Sequence, residues 1–296
     1  DVTATDGYAL YASNGGTIVN TSAGQINTVG SSAMYVAQGN ARNEGNISND
    51  NAGFHAIHLV NGSAENAGGT NGGAAGSIVL GGSNAVGIYA ETGTVKNGGT
   101  ITMNGDTDTF AIQVIGSGTV TNSGAITVTA NGSSGTGIAA GGGTTENTGT
   151  ITVSSKNGVG ISNTAGSINN SGTVTLTGAS SVGLTTNSGS LENVAGGLIS
   201  VSGNNGIGMQ NLSGGTSTNN GDINMTNADN AIGMYGSGNV NLNNGGNITL
   251  TGNEIIGMHA DNGSTATNTG AINLYGSQVI AMKATNNSTI INAGTI

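Results

Sequence analysis

Two unrelated short motifs recur in step along the whole chain, and that shared period constrains the fold more than any other feature. The first is a small residue followed by Ile, Leu or Met: Ala9-Leu10, Ala33-Met34, Ala56-Ile57, Gly87-Ile88, Ala111-Ile112 and Gly137-Ile138. It continues as Gly160-Ile161, Gly183-Leu184, Gly208-Met209, Gly233-Met234, Gly257-Met258 and Ala281-Met282. Leu10 and Met282 lie 272 residues and eleven intervals apart, a mean of 24.7. The second motif is Asn-x-Gly-x-Ile/Val, as in Asn97-Gly98-Gly99-Thr100-Ile101, and its apolar residues from Ile26 to Ile296 average 24.5. A period of 20–50 residues marks a stack of repeated supersecondary units.

Within one repeat the apolar residues alternate. Ile101-Thr102-Met103, Ile126-Thr127-Val128, Ile151-Thr152-Val153 and Val174-Thr175-Leu176 read in, out, in along a strand. A further inward position lies two residues before the motif asparagine, at Val95, Val120, Ile168, Leu191, Leu242 and Ile290. Glycine punctuates these segments, and no 3.6-residue periodicity persists. The reading is an all-β parallel β-helix (β-solenoid) of about twelve coils with about 24 residues in each. One coil cannot cover its own apolar face, whereas stacked coils bury a continuous column. Asn61 to Ala75 holds about eight extra residues, expected as a loop at a corner of a single solenoid segment, 1–296.

Asn43, Asn97, Asn122, Asn147, Asn170, Asn219, Asn244, Asn268 and Asn292 share one register, with Asn193 carrying a two-residue insertion. Stacked amides can hydrogen-bond in a ladder along the axis, and asparagine also tolerates left-handed corners. Either role is structural.

Repeats such as Asn147-Thr148-Gly149-Thr150-Ile151 followed by Gly158-Val159-Gly160-Ile161 resemble the passenger domains of autotransporters, the type V secreted outer-membrane proteins. They are most similar to the large fusobacterial adhesins. The resemblance implies a right-handed β-helix displayed at the bacterial surface, a membrane barrel elsewhere in the full chain, and adhesion to host or bacterial surface glycans or proteins. It implies no cofactor and no membrane contact by this segment. The family's functional residues lie in variable loops, so no individual site carries over.

Composition narrows the chemistry. A net charge of −10, with only Arg42, Lys96, Lys156 and Lys283 positive, argues against nucleic-acid binding. Without cysteine there is neither a disulfide nor a thiolate metal site. Glu146 and Glu192 both precede a motif asparagine but sit two coils apart, with no flanking arginine, so glycoside hydrolysis is weakly supported. His55 and His58, three apart, should point to opposite faces of a strand and bind no metal. The Asp106-Thr107-Asp108 corner lacks the glycine-rich calcium-repeat pattern. The chain therefore reads as a non-enzyme, with a polysaccharide-acting enzyme or an ice-binding solenoid as alternatives.

Two outward features stand out. The residue after each first motif reads Tyr11, Tyr35, His58 and Tyr89, an aromatic row expected to form a flat binding platform beside the 61–75 loop. Tyr235, His259 and Lys283 continue that row. Outward threonines, as in Thr127/Thr129 and Thr152/Ser154, form interrupted ranks of the sort an ice-binding face would need. Coils are expected to continue beyond both Asp1 and Ile296, because neither terminal repeat carries a cap.

Overall fold

A computed structural model of the chain describes residues 7–27, 32–69, 75–130, 132 and 134–296. Every regular element among them is a strand, and equivalent strands of successive coils pair in parallel. The molecule is a parallel β-solenoid whose equivalent positions recur at about 24 residues. It divides into two compact units, Asp1–Thr144 with Thr148–Ser154, and Thr145–Asn147 with Ser155–Ile296.

A representative coil of the first unit has strands Val86–Ala90, Gly93–Asn97 and Thr100–Met103. The third strand recurs six times in that unit, from Gln25–Asn27 to Thr150–Val153, and five times in the second, from Thr173–Leu176 to Ala271–Tyr275. That makes eleven turns. The twelfth expected repeat contributes only the bridge between Ala271 and Thr295 at this position.

The in–out alternation of the third strand explains the core. Ile26, Ile47, Ile78, Ile101, Ile126 and Ile151 pair in register down one unit, as do Val174, Ile199, Ile223, Ile248 and Ile272 in the other. All are at most 2% exposed, and Ile151 and Met234 are fully buried. Each such side chain contributes about 1.5–3 kcal/mol of burial, and β-branched Ile and Val also suit the extended backbone.

Asparagine closes the corner between the second and third strands. In the first unit Asn20, Asn43, Asn66 and Asn97 each donate Nδ2–H to the Oδ1 of the next coil's asparagine, ending at Asn122, at 2.7–2.8 Å. In the second, the same bond links Asn147, Asn170, Asn193, Asn219, Asn244, Asn268 and Asn292. In the regular coils the ladder residue's own backbone carbonyl also accepts two backbone N–H groups from the following coil, as Asn97 does from Ser123 and Gly124 and Asn244 from Thr269 and Gly270. Asn20, Asn66 and Asn193 thus extend the row of regular motifs. A side chain at Gly124 would overlap the Gly99 carbonyl, which is why the motif keeps glycine two residues after asparagine. The left-handed role falls to a different corner, at Asn84, Asn157, Asn205 and Asn230, with φ of 54–57°.

The loop expected at 61–75 begins later. Gly62–Asn66 is a regular second strand, paired with Gly39–Asn43 and Gly93–Asn97. The extra residues come after Asn66: twelve positions separate it from Ile78, where four separate Asn97 from Ile101. Gly76 N–H donates to the Ala67 carbonyl at 2.8 Å and pinches the loop at its base. Residues 70–74 of that stretch lie outside the described residues.

Candidate functional site

The first strand of each coil breaks strict alternation. In His55–Leu59 both Ala56 and Ile57 are buried, between half-buried His55 and His58. The same pattern holds in the second unit at Ile207–Asn211, and at Val86–Ala90 the paired Gly87 and Ile88 are likewise buried beside half-buried Tyr89. A small residue permits it. At the equivalent Gly87, an added Cβ would already crowd Ile101 and the Ala111 carbonyl. Two adjacent inward residues bring positions i and i+3 onto the same outer face. The expectation that His55 and His58 point oppositely is therefore overturned: their Nδ1 atoms lie 3.4 Å apart.

Two outward ranks result. Tyr11, Tyr35, His58 and Tyr89 align by strand register as one rank, and Tyr8, Ser32, His55 and Val86 align as the other, in which Ser32 and Val86 are themselves covered. Tyr8 and Tyr35 stack at 4.3 Å between centroids, Tyr11 and Tyr35 at 5.7 Å, and His55 and Tyr89 at 4.7 Å with planes only 7° apart. His58 stands across them, at 58° to Tyr35 and 76° to Tyr89. The rings thus spend much of their faces on one another. What the cluster offers outward is ring edge and phenolic hydroxyl, with Tyr8 and Tyr11 the most exposed, at 42% and 56%.

Burial, and secondarily the neighbouring His58, pushes the His55 pKa down to about 4. His58 is also lowered by burial, with Glu91 opposing the shift. Both imidazoles are consequently neutral at pH 7. His58 Nε2 is buried without a hydrogen-bond partner; its nearest carboxylate oxygen, from Glu91, is 3.8 Å away. Burial also raises the phenols of Tyr35 and Tyr89. The patch is uncharged apart from Glu91 at its edge.

In the second unit the same ranks carry Val182, Ile207, Ile232 and Ile256 beside Thr185, Gln210, Tyr235 and His259. Beside this face, polar side chains gather around Asp261. Thr285 donates its hydroxyl to Asp261 Oδ1 at 2.7 Å and lies 3.0 Å from His259 Nε2. Asn286 Nδ2 donates to the same carboxylate at 2.8 Å. These bonds hold the Asp261 pKa below the usual range. Because the carboxylate is an acceptor only, the Thr285 proton goes to Asp261, and His259 donates to the hydroxyl oxygen. His259 therefore does not serve as a base toward the Thr285 hydroxyl.

The remaining candidates are dispersed. Glu146 is exposed, and Glu192 accepts from Asn220 at 3.3 Å. Arg42 is tied between Glu44 and Glu65. Among the described residues no three His, Asp or Glu side chains are grouped to share a metal ion. Thr102, Thr127 and Thr152 do align on the third-strand face, but Val79 precedes them in that rank.

A family model described as the BigA third pectate lyase-like domain matches residues 1–140, 52–186 and 181–296, which together span the chain. The overlapping matches reflect the internal repeat. No curated protein and no solved structure matches the chain significantly.

Proposed function

The chain belongs to the BigA third pectate lyase-like domain family, and from that premise we propose a non-enzymatic, β-helical segment of a bacterial surface adhesin. It displays a contact face to host or bacterial glycans or proteins, in the manner of an autotransporter passenger carried by an outer-membrane barrel elsewhere. One observation carries this reading. Four of the six tyrosines and two of the three histidines converge on a single outer face of the first unit, at Tyr8, Tyr11, Tyr35, His55, His58 and Tyr89. Apolar bodies with polar tips on a rigid sheet suit recognition by edge contacts and phenolic hydrogen bonds. The loop closed by Ala67 and Gly76 lies in the same unit, and loops on a rigid scaffold commonly carry recognition.

The term pectate lyase-like names a fold relation, and fold does not determine activity. The dispersed carboxylates, and a His259 that donates to Thr285 instead of taking its proton, support binding over catalysis. Screening the purified chain against surface glycans and proteins, with reducing-end release as a parallel readout, tests this. Binding without release, weakened at least tenfold when Tyr11, Tyr35 and Tyr89 become serine, is expected. Glycan cleavage, or binding unaffected by that triple change in a folded chain, overturns it.

A further inference from the structure

We propose that His55 and His58 form a two-imidazole site for a divalent first-row transition-metal ion such as zinc, copper or nickel. Two nitrogens bound at zinc–imidazole length on a tetrahedral ion stand about 3.3–3.4 Å apart. The two Nδ1 atoms are already at 3.4 Å, a long separation for a hydrogen bond between them. Their ring planes are 70° apart and held by aromatic neighbours, His55 flat on Tyr89 and His58 between Tyr35 and Tyr89. Binding then requires little reordering of either ring.

The far side of His58 matches the role. A metal-bound imidazole characteristically directs its other N–H to a carboxylate, which orients the ring and raises its basicity. His58 Nε2 has no hydrogen-bond partner and faces Glu91 at 3.8 Å. The ion draws Glu91 in as this outer partner. With only two protein ligands, water completes the coordination shell, and imidazole donors favour zinc, copper and nickel over magnesium or calcium. The site stands independently of the adhesion reading.

The test is calorimetric titration of the chelator-stripped full chain with zinc chloride, together with copper(II) electron paramagnetic resonance on the unaltered protein. One zinc per chain and two nitrogen couplings on copper are expected. His55→Val and His58→Gln borrow residue types that the same ranks already hold at Val86 and Gln113, so the coil should survive. Each should weaken zinc binding by at least tenfold, and Glu91→Gln by about tenfold. His259→Ala, the third histidine, should change nothing. Absence of saturable zinc binding, fewer than two nitrogens on copper, or affinity that survives both substitutions overturns the site.

Discussion

The two units use the same interior and present different exteriors. Each has an isoleucine or valine column under its third strands and an unbroken asparagine ladder at one corner. On the outer face of the first strand they diverge. The first unit sets Tyr11, Tyr35, His58 and Tyr89 beside Tyr8 and His55, whereas the second sets Thr185, Gln210, Tyr235 and His259 beside the aliphatic Val182, Ile207, Ile232 and Ile256. A solenoid constrains residues that touch the next coil along the axis and leaves outward positions free. Recognition chemistry can therefore be concentrated in one unit without cost to the repeat.

The comparison can be broken at its strongest point, the shared ladder. Asn43→Ala and Asn219→Ala should each cost about 3 kcal/mol, because each leaves a buried donor above and an acceptor below without their ladder partner. Hydrogen exchange, read separately in each unit, checks this. A large difference between the two losses would mean the ladders are not equivalent.

Acid should separate the units next. The folded pKa of His55 is about 4, against an ordinary value of 6.5. Above pH 6.5 the imidazole is neutral whether folded or unfolded, and its environment's full stability is present. As pH falls, the unfolded chain takes the proton first, so stability declines until the folded form also protonates near 4. With partial exposure discounted, the loss is about 2 kcal/mol. It should appear in the first unit, in chelator-containing buffer, and vanish in His55→Val.

Smaller effects sharpen the contrast. Tyr35→Ser removes stacking with both Tyr8 and Tyr11 and should cost about 1 kcal/mol in denaturant unfolding. The matched Thr185→Tyr adds a ring beside Gln210, with no aromatic partner in the paired strand, and should shift stability by about 0.5 kcal/mol or less. The left-handed corner is smaller still. Glu254 holds φ of 56° where Asn205 and Asn230 occupy the equivalent positions. Glu254→Asn should stabilise by roughly 0.5 kcal/mol in thermal unfolding, since asparagine tolerates that backbone better.

Much of the architecture is legible in residue spacing. The solenoid, its inward residues and the rank from Tyr11 to Tyr89 all arise from a period that every coil repeats. Asn20 and Asn66 are hidden from that reading for a local reason. Neither has the Ile or Val four residues later that marks the motif, since Asn20 precedes Thr21-Ser22 and a loop succeeds Asn66. Yet both amides sit in the ladder, because its bonds run along the axis and are indifferent to the next residues of the chain. The extra residues between Asn61 and Ala75 are legible as a number but not as a position: pairing of Gly62–Asn66 decides where the loop starts.

Burial of an apolar column requires the same residue types at the same spacing in every coil, so the repeat, the alternation and hence the parallel β-helix follow from the order of residues alone. Which outward side chains meet depends instead on how the coils pack. His55 joins His58 because Ala56 and Ile57 both turn inward, a departure from alternation set by packing against neighbouring coils. The orientation of the rings was likewise decided between coils: Tyr8 stacks on Tyr35, and His55 lies flat on Tyr89, through contacts between residues distant in sequence. Periodicity records where a side chain starts, whereas its neighbours along the axis determine which atoms it leaves for a partner.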